Sequence, residues 1–378
     1  YQNANDDGYT EVATEVKHGT TGEMVDGANY KKTLANAIYE KAESKTVNAD
    51  GSTVIKVYYV RTTHKITFTY GDKTGEGVEY TLRYGQNVAY NPSFSVTGYV
   101  FAGWDKQIPA VMPDSDVVIN AIWNAADGIQ YKVEHYLQNA NDDDYTLDHT
   151  DNRTGVTGTV IDGTTLATMV GNGIVLKSAE SKAIAADGST VIKIYYDRAS
   201  YTVTYTYGDK TGEAVEHTVR YGATLPEAPV FNVLGYTFAG WDSELASAMP
   251  ASNLTYAATW TANSDTAFTV EHYYQNANDD GYALVETEVK YGTTDATVNG
   301  ADLQKALAEA IFERAESKSV SADGSTVIKV YYTRTTYTLT FTYGDKVGEN
   351  ATYTLRYGQT VSYNPSFSVE GYVFAGWN

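Results

Sequence analysis

The side chains able to do chemistry are few in type and periodic in place. Six histidines stand at positions 18, 64, 135, 149, 217 and 272. His135 and His272 share one place in a repeated Val-Glu-His-Tyr string, with Glu134 and Glu271 directed to the opposite face of a strand. No second histidine stands at zinc-ligand spacing, so the expectation for His135 and His272 is an exposed or edge-strand position. With no cysteine in the chain, thiolate metal sites, disulfides and a cysteine nucleophile are excluded. No nucleophile elbow, P-loop or dinucleotide fingerprint occurs. Carboxylates are plentiful, but an acid pair for glycoside chemistry needs a cleft, which small modules rarely hold. The sequence therefore reads as non-enzymatic.

One string comes close to a metal loop. YQNANDDGYT at the start returns as LQNANDDDYT at 137 and YQNANDDGYA at 274. Asn3, Asn5 and Asp7, and likewise Asn276, Asn278 and Asp280, alternate as the first ligands of a calcium loop do. The closing bidentate glutamate of such a loop is missing, because Thr14 and Thr287 stand there. Asp144 replaces the glycine in the middle copy. A hairpin turn explains Asn, Asp and Gly in this string, as residues that tolerate left-handed backbone. Calcium is the alternative, and no other cofactor is implied. Lys56, Lys193 and Lys329 recur at the repeat period and raise an intramolecular isopeptide bond. Lys56, however, lies opposite the Ile55, Val57, Tyr59 face and so points to solvent.

The elements that position these groups follow from internal repetition. DGSTVIKVYY at 50 returns at 187 (as DGSTVIKIYY) and at 323, and GYVFAGW at 98 returns at 235 (as GYTFAGW) and 371, spacings of 137 and 136. Each period holds two units, A and then B. The boundaries fall at 1–62 (A), 63–125 (B), 126–199 (A), 200–263 (B), 264–335 (A) and 336–378 (B). The first A lacks its opening strand and the last B stops after its Gly-Trp, so the sequence reads as a window on a longer array. Unit A shows alternating strands at KVEHYLQ, TVEHYYQ and STVIKVYYVR. Between them, Leu303, Leu307 and Ile311 stand four apart, as do Leu34 and Ile38, and this spacing predicts a helix. Gly171 and Gly173 imply a shorter or irregular one in the middle copy. Unit B begins with a hairpin whose tip is Gly-Asp-Lys-Thr-Gly and ends on DVVINAIW. Its core is assigned to Tyr99, Phe101 and Trp104, then Tyr236, Phe238 and Trp241, then Tyr372, Phe374 and Trp377.

The 34 tyrosines and frequent threonines favour half-buried strands. A net charge of −20, with no basic face, argues against nucleic acid as a partner. No stretch is long and apolar enough to insert in a membrane. A-to-B joins run strand into strand, whereas NAADGIQ and TANSDTA make the B-to-A joins looser. A semi-stiff rod bending at the B-to-A joins is the expectation, with six units of roughly 30–40 Å giving about 200 Å.

The B motif, Y-G-x…P-x-F-x-V-x-G-Y-x-F-x-G-W…A-x-W, resembles the Listeria–Bacteroides (internalin-type B) repeat, end to end over Tyr201–Trp260. Unit A resembles the mucin-binding-protein (MucBP-like) repeats through V-E-H-Y, N-D-D-G, G-T-T-G and the closing DGSTVIKVYY-x-R. The expected helix departs from that second pattern. Together these likenesses imply an α+β, strand-dominated chain of tandem β-grasp-like (ubiquitin-like) modules, displayed outside a bacterial cell, secreted or attached to the cell wall. They imply a stalk or fibre with no catalytic residues. The alternatives are a multivalent adhesin for host mucin or glycans, with tyrosines stacking on sugars, and a filament in which neighbouring copies complete one another by strand addition.

Overall fold

A computed structural model describes residues 1–378, which fall into two compact units, Tyr1–Arg198 and Ala199–Asn378. Their regular structure is almost all strand. Helical structure is confined to three 3-10 turns, Gly27–Tyr30, Gly163–Leu166 and Gly300–Leu303.

In the first unit, the strands Thr63–Thr69, Val78–Arg83, Tyr99–Trp104 and Val117–Ala125 form a sheet in the order second, first, fourth, third. The first strand pairs antiparallel with the second and parallel with the fourth, placing Ile66 opposite Tyr80 on one side and Val117 on the other. The following strands Ile129–Gln138, Tyr145–Gly155, Ile174–Ala179 and Val191–Arg198 repeat that order, again with a central parallel pair. A two-stranded ribbon, Val160–Asp162 with Ser181–Ala183, is added to this A module. The second unit repeats both patterns, B over Ser200–Ala262 and A over Thr266–Arg334. Four further sheets are two-stranded: Met24–Asp26 with Ser44–Thr46, Thr297–Asn299 with Ser317–Ser319, Ala37–Ala42 with Val57–Arg61, and Thr336–Phe341 with Ala351–Arg356. A and B thus share one sheet topology despite having no motif in common.

The helix predicted between the A strands does not form. Gly300–Leu303 makes one turn capped by Asn299, and the backbone then becomes extended before the strand Ala310–Ala315. Leu303 and Leu307 do pack against the core, but from the end of that turn and from the loop after it. Ile311, the third member of the apparent helical stripe, is exposed while Phe312 packs inward, which is strand alternation. Glu309 enters that strand with φ +57, and Asn36 does the same with φ +55 in the first copy, which no α-helix permits. In the middle copy a glycine, Gly173 with φ +82, takes this place. Its glycines therefore fit a turn shared by all three copies, not a weakened helix, and the α component of the expected α+β class is absent.

The B core also differs from the expected aromatic set. Ile66, Phe68, Leu82, Met112 and Ile119 are buried, with Trp104, Phe94 and Tyr80 packed at their edge. Phe101 and Phe238 are each 38% exposed, and Tyr99, Trp104, Tyr236 and Trp241 are only half-buried. Tyr372, Phe374 and Trp377 are exposed. These rings pack against one another at the margin of the core. Phe101 meets Trp104 and Trp123 edge-on at 5.0 and 5.7 Å, and Phe238 repeats this with Trp241 and Trp260. A single sheet this small has no further layer to cover them. The hairpin glycine Gly71 has φ +67, and a Cβ there would come within 2.2 Å of Ala121 O, so the tip admits no side chain.

The B-to-A joins, expected to be the looser ones, are tied down. Gly98 O accepts from Ala126 N at 2.9 Å and from Thr157 Oγ1 at 2.8 Å, and Thr157 N donates to Ala126 O at 3.0 Å. The second unit repeats the arrangement: Asn263 N donates to Gly235 O and Thr294 N to Asn263 O, both at 2.9 Å. A Cβ on Gly98 would lie 2.5 Å from Ala186, so this contact is as close as the backbone allows.

Candidate functional site

Two constellations carry polar groups that the strands hold in fixed geometry. The first joins the first and third A modules to the B modules that follow them. The A module's closing strand ends on Arg61 in the first copy and Arg334 in the third. Arg334 Nε donates to Gln275 O at 2.6 Å and Nη1 to Tyr357 O at 3.0 Å, while the guanidinium lies 4.2 Å from the centre of the Tyr274 ring. Arg61 does the same with Gln2 O at 2.8 Å, Tyr84 O at 3.0 Å and the Tyr1 ring at 4.4 Å. Gln2 and Gln275 return the contact, their Oε1 atoms accepting from Arg61 N and Arg334 N at 3.1 and 3.2 Å.

The Asn-Asp string completes this clamp. Asp6 Oδ1 accepts from Asn3 Nδ2 at 2.8 Å and Gly8 N at 2.7 Å, a turn closed by its own side chains that holds the Asp6 carboxyl below its ordinary pKa. Asn5 Oδ1 accepts from Asn87 N at 2.8 Å, and Asp7 pairs with Arg83, whose Nη1 also donates to Asp6 O at 2.8 Å. Asn278 with Thr360 N, and Asp280 with Arg356, repeat these contacts. Asn3 and Asn276 hold the turn from within. Gly8 does not adopt a left-handed backbone, so tolerance of that conformation does not account for glycine here. A Cβ there would lie 2.8 Å from Asp6 Oδ1, yet Asp144 makes the same turn, its N–H donating to Asp142 Oδ1 at 2.9 Å. Two of the three groups aligned as calcium ligands in each of these copies are thus bound to the neighbouring module, and the third is bound within the turn. Adding about millimolar calcium is expected to leave the thermal midpoint of the chain unchanged. A rise that Asp7→Asn and Asp280→Asn remove would show instead that calcium displaces the arginines.

The second constellation is centred on the two equivalent histidines. Both are fully buried, not exposed or at an edge. Each lies on an inner strand, on the face that carries Tyr131 and Val133 in one copy and Phe268 and Val270 in the other. His135 Nδ1 and the Tyr196 hydroxyl are 2.8 Å apart, and that hydroxyl accepts from Thr168 N at 3.1 Å. His272 and Tyr332 make the same pair at 3.1 Å, with Lys305 N donating to Tyr332 at 2.6 Å. Beyond this point the copies diverge. His272 Nε2 meets Glu288 Oε1 at 3.0 Å, and Lys305 and Lys290 pair with the same carboxylate. Lys305, then burial acting against it, then Lys290 and His272 together bring the Glu288 pKa down to about 2. In the middle copy Asp151 stands for Glu288, His149 for Glu286 and Thr168 for Lys305. His149 lies opposite His135 across the strand pair, the rings stacked at 4.2 Å. Burial, then the neighbouring His149, disfavours the charged form of His135.

Lys193 and Lys329, raised as isopeptide donors, stand over the Tyr136 and Tyr273 rings at 5.5 and 5.4 Å. No helix is long and apolar enough to cross a membrane.

The family model of the Listeria-Bacteroides repeat domain matches residues 64–119, 201–269 and 337–378. These three stretches carry the B modules, and the repeat is typical of bacterial surface proteins. No curated protein matches the chain.

Proposed function

We propose, on the premise of those three surface-protein repeats, that the chain is a non-catalytic extracellular spacer, a stalk segment of a bacterial cell-surface protein. The observation that carries this reading is the clamp. The same arginine pair, Arg61 with Arg83 and Arg334 with Arg356, fastens an A module to its B module in both units. Polar side chains that a binding site would present outward are directed to the next module. The sheet order, with its central parallel pair, supports a helix-free β-grasp-like reading of both module types. The likeness of the A modules to mucin-binding repeats rests on their motifs.

A spacer and an adhesive array differ in what they retain. Immobilised full chain is expected to show no saturable binding of mucin or arrayed glycans. Replacing the segment within a surface-displayed fusion by an unrelated spacer of equal length is expected to preserve display of the fused domain. Saturable glycan binding would overturn the spacer reading in favour of the multivalent adhesive one.

A further inference from the structure

The middle A module differs from the third at the positions around its buried histidine, and the differences agree in direction. His149 replaces Glu286, Asp148 replaces Val285, and Thr168 replaces Lys305. The third module places two carboxylates, Glu286 and Glu288, against two ammonium groups, Lys290 and Lys305. The first module also seats a lysine, Lys32, on Glu15. In the middle module the lysine is gone, a second imidazole has arrived, and a carboxylate stands on each side of it. His135 Nε2, on a side chain with no exposure, has no hydrogen-bond partner. It lies 3.9 Å from Asp151 Oδ2, and ligand atoms of His135, His149 and Asp151 all fall within 4.8 Å of one another.

We propose that this cluster is a binding site for a divalent transition-metal ion of the zinc class, held by His135 Nε2, one ring nitrogen of His149 and a carboxylate oxygen of Asp151. Two imidazoles and one carboxylate form a borderline donor set suited to zinc and poorly suited to calcium. Ligand bonds of about 2.0–2.2 Å require the three atoms to close in. The movable partner is His149, whose side chain is 39% exposed on the outer strand. Its ring must tilt out of the stack, because a metal lies in the plane of each imidazole that binds it. The supporting contacts are in place. With Nε2 on the ion, the Nδ1 proton of His135 is donated to Tyr196 Oη, and Asp148 Oδ2, 2.8 Å from His149 Nδ1, orients the second ring. Arg153 Nη2 holds Asp151 Oδ2 at 3.0 Å and is the one cation opposing the ion. It must keep one carboxylate oxygen while the other binds. The remaining coordination position is left to water.

The test is zinc titration of the full, tag-free chain by calorimetry, with cobalt(II) absorption reporting geometry. One zinc per chain is expected, reversed by chelator, with a tetrahedral cobalt spectrum and perturbed ring signals of His135 and His149 in nitrogen-15 spectra. His149→Ala and Asp151→Asn are each expected to weaken binding at least about tenfold. Thr168→Lys, which removes no ligand but restores the lysine of the third module, is expected to do the same. All three positions are at least partly exposed, so the fold is expected to survive, and an unchanged far-ultraviolet dichroism spectrum checks it. No stoichiometric zinc uptake by the wild-type chain would overturn the proposal. So would uptake that His149→Ala and Thr168→Lys leave unaltered, since the ion would then sit elsewhere on an acidic surface.

Discussion

Arg334→Ala is expected to destabilise the junction between the third A module and its B module by about 2–4 kcal/mol. The change strands Gln275 O and Tyr357 O, each of which accepts from the guanidinium, and removes the cation from the Tyr274 ring. Charge-assisted hydrogen bonds of this kind are worth more than neutral ones, and half-burial of Arg334 keeps water from replacing them fully. Arg334→Lys is expected to recover less than half of the loss, because one ammonium cannot reach two carbonyls set in different modules. Hydrogen exchange is the direct measurement. Amides at the join, such as Tyr357 N on Thr335 O, are expected to lose protection, while those of the Val327–Arg334 strand interior keep it. Arg61→Ala should repeat the effect in the other unit through Gln2 and Tyr84. Unchanged exchange at both joins would mean that the clamp is decoration and the modules are coupled by something else.

The clamp also marks the limit of what the sequence disclosed. Repetition and the B hairpin are local facts, carried by strings such as YGDKTGE, and they are legible directly. So is the inward face of Ile55, Val57 and Tyr59, since alternation is a property of one strand; Tyr59 is indeed buried. Arg334 and Gln275 are 59 residues apart, and nothing in either string names the other. The histidine was within reach. Tyr131, Val133 and His135 alternate with Gln130, Lys132 and Glu134, which places the imidazole inward once the strand is central. The polarity of imidazole argues the other way, and the strand pattern prevails. The companions of His135 were not within reach, because His149 and Asp151 are brought beside it by antiparallel pairing and not by spacing along the chain. The helix failed for a different reason. Leucines four apart also suit a loop that drops two side chains onto a sheet, and the sequence does not announce the left-handed Glu309 that separates the two cases.

Acid should act differently on the middle and third A modules, and the third is the one in which the effect is larger. The Glu288 pKa is about 2 in the folded chain, below the ordinary carboxylate value of 4.5 that the unfolded chain recovers. Its contribution is therefore fully present above pH 4.5, declines as the unfolded state begins to take up the proton first, and is lost as pH falls through about 2. The side chain is 20% exposed, so solvent reduces the effect and about 2 kcal/mol is the expected size. Glu288→Gln is expected to remove this part of the acid dependence and to weaken the module at neutral pH, leaving Lys305 with Glu286 alone. Lys305→Thr, which makes the third module resemble the middle one at this position, removes the largest cause of the depressed pKa and should raise the acid-unfolding midpoint. Hydrogen exchange of the Val327–Arg334 strand between pH 2 and 5, corrected for intrinsic rates, would follow it within the full chain. Equal acid sensitivity in wild type and Glu288→Gln would show that the lysines screen this carboxylate without stabilising the fold. The lysine over Glu288 is then the feature that separates the copies: where it stands, the buried histidine serves the stability of the module, and where threonine replaces it, the same scaffold has an imidazole nitrogen without a partner.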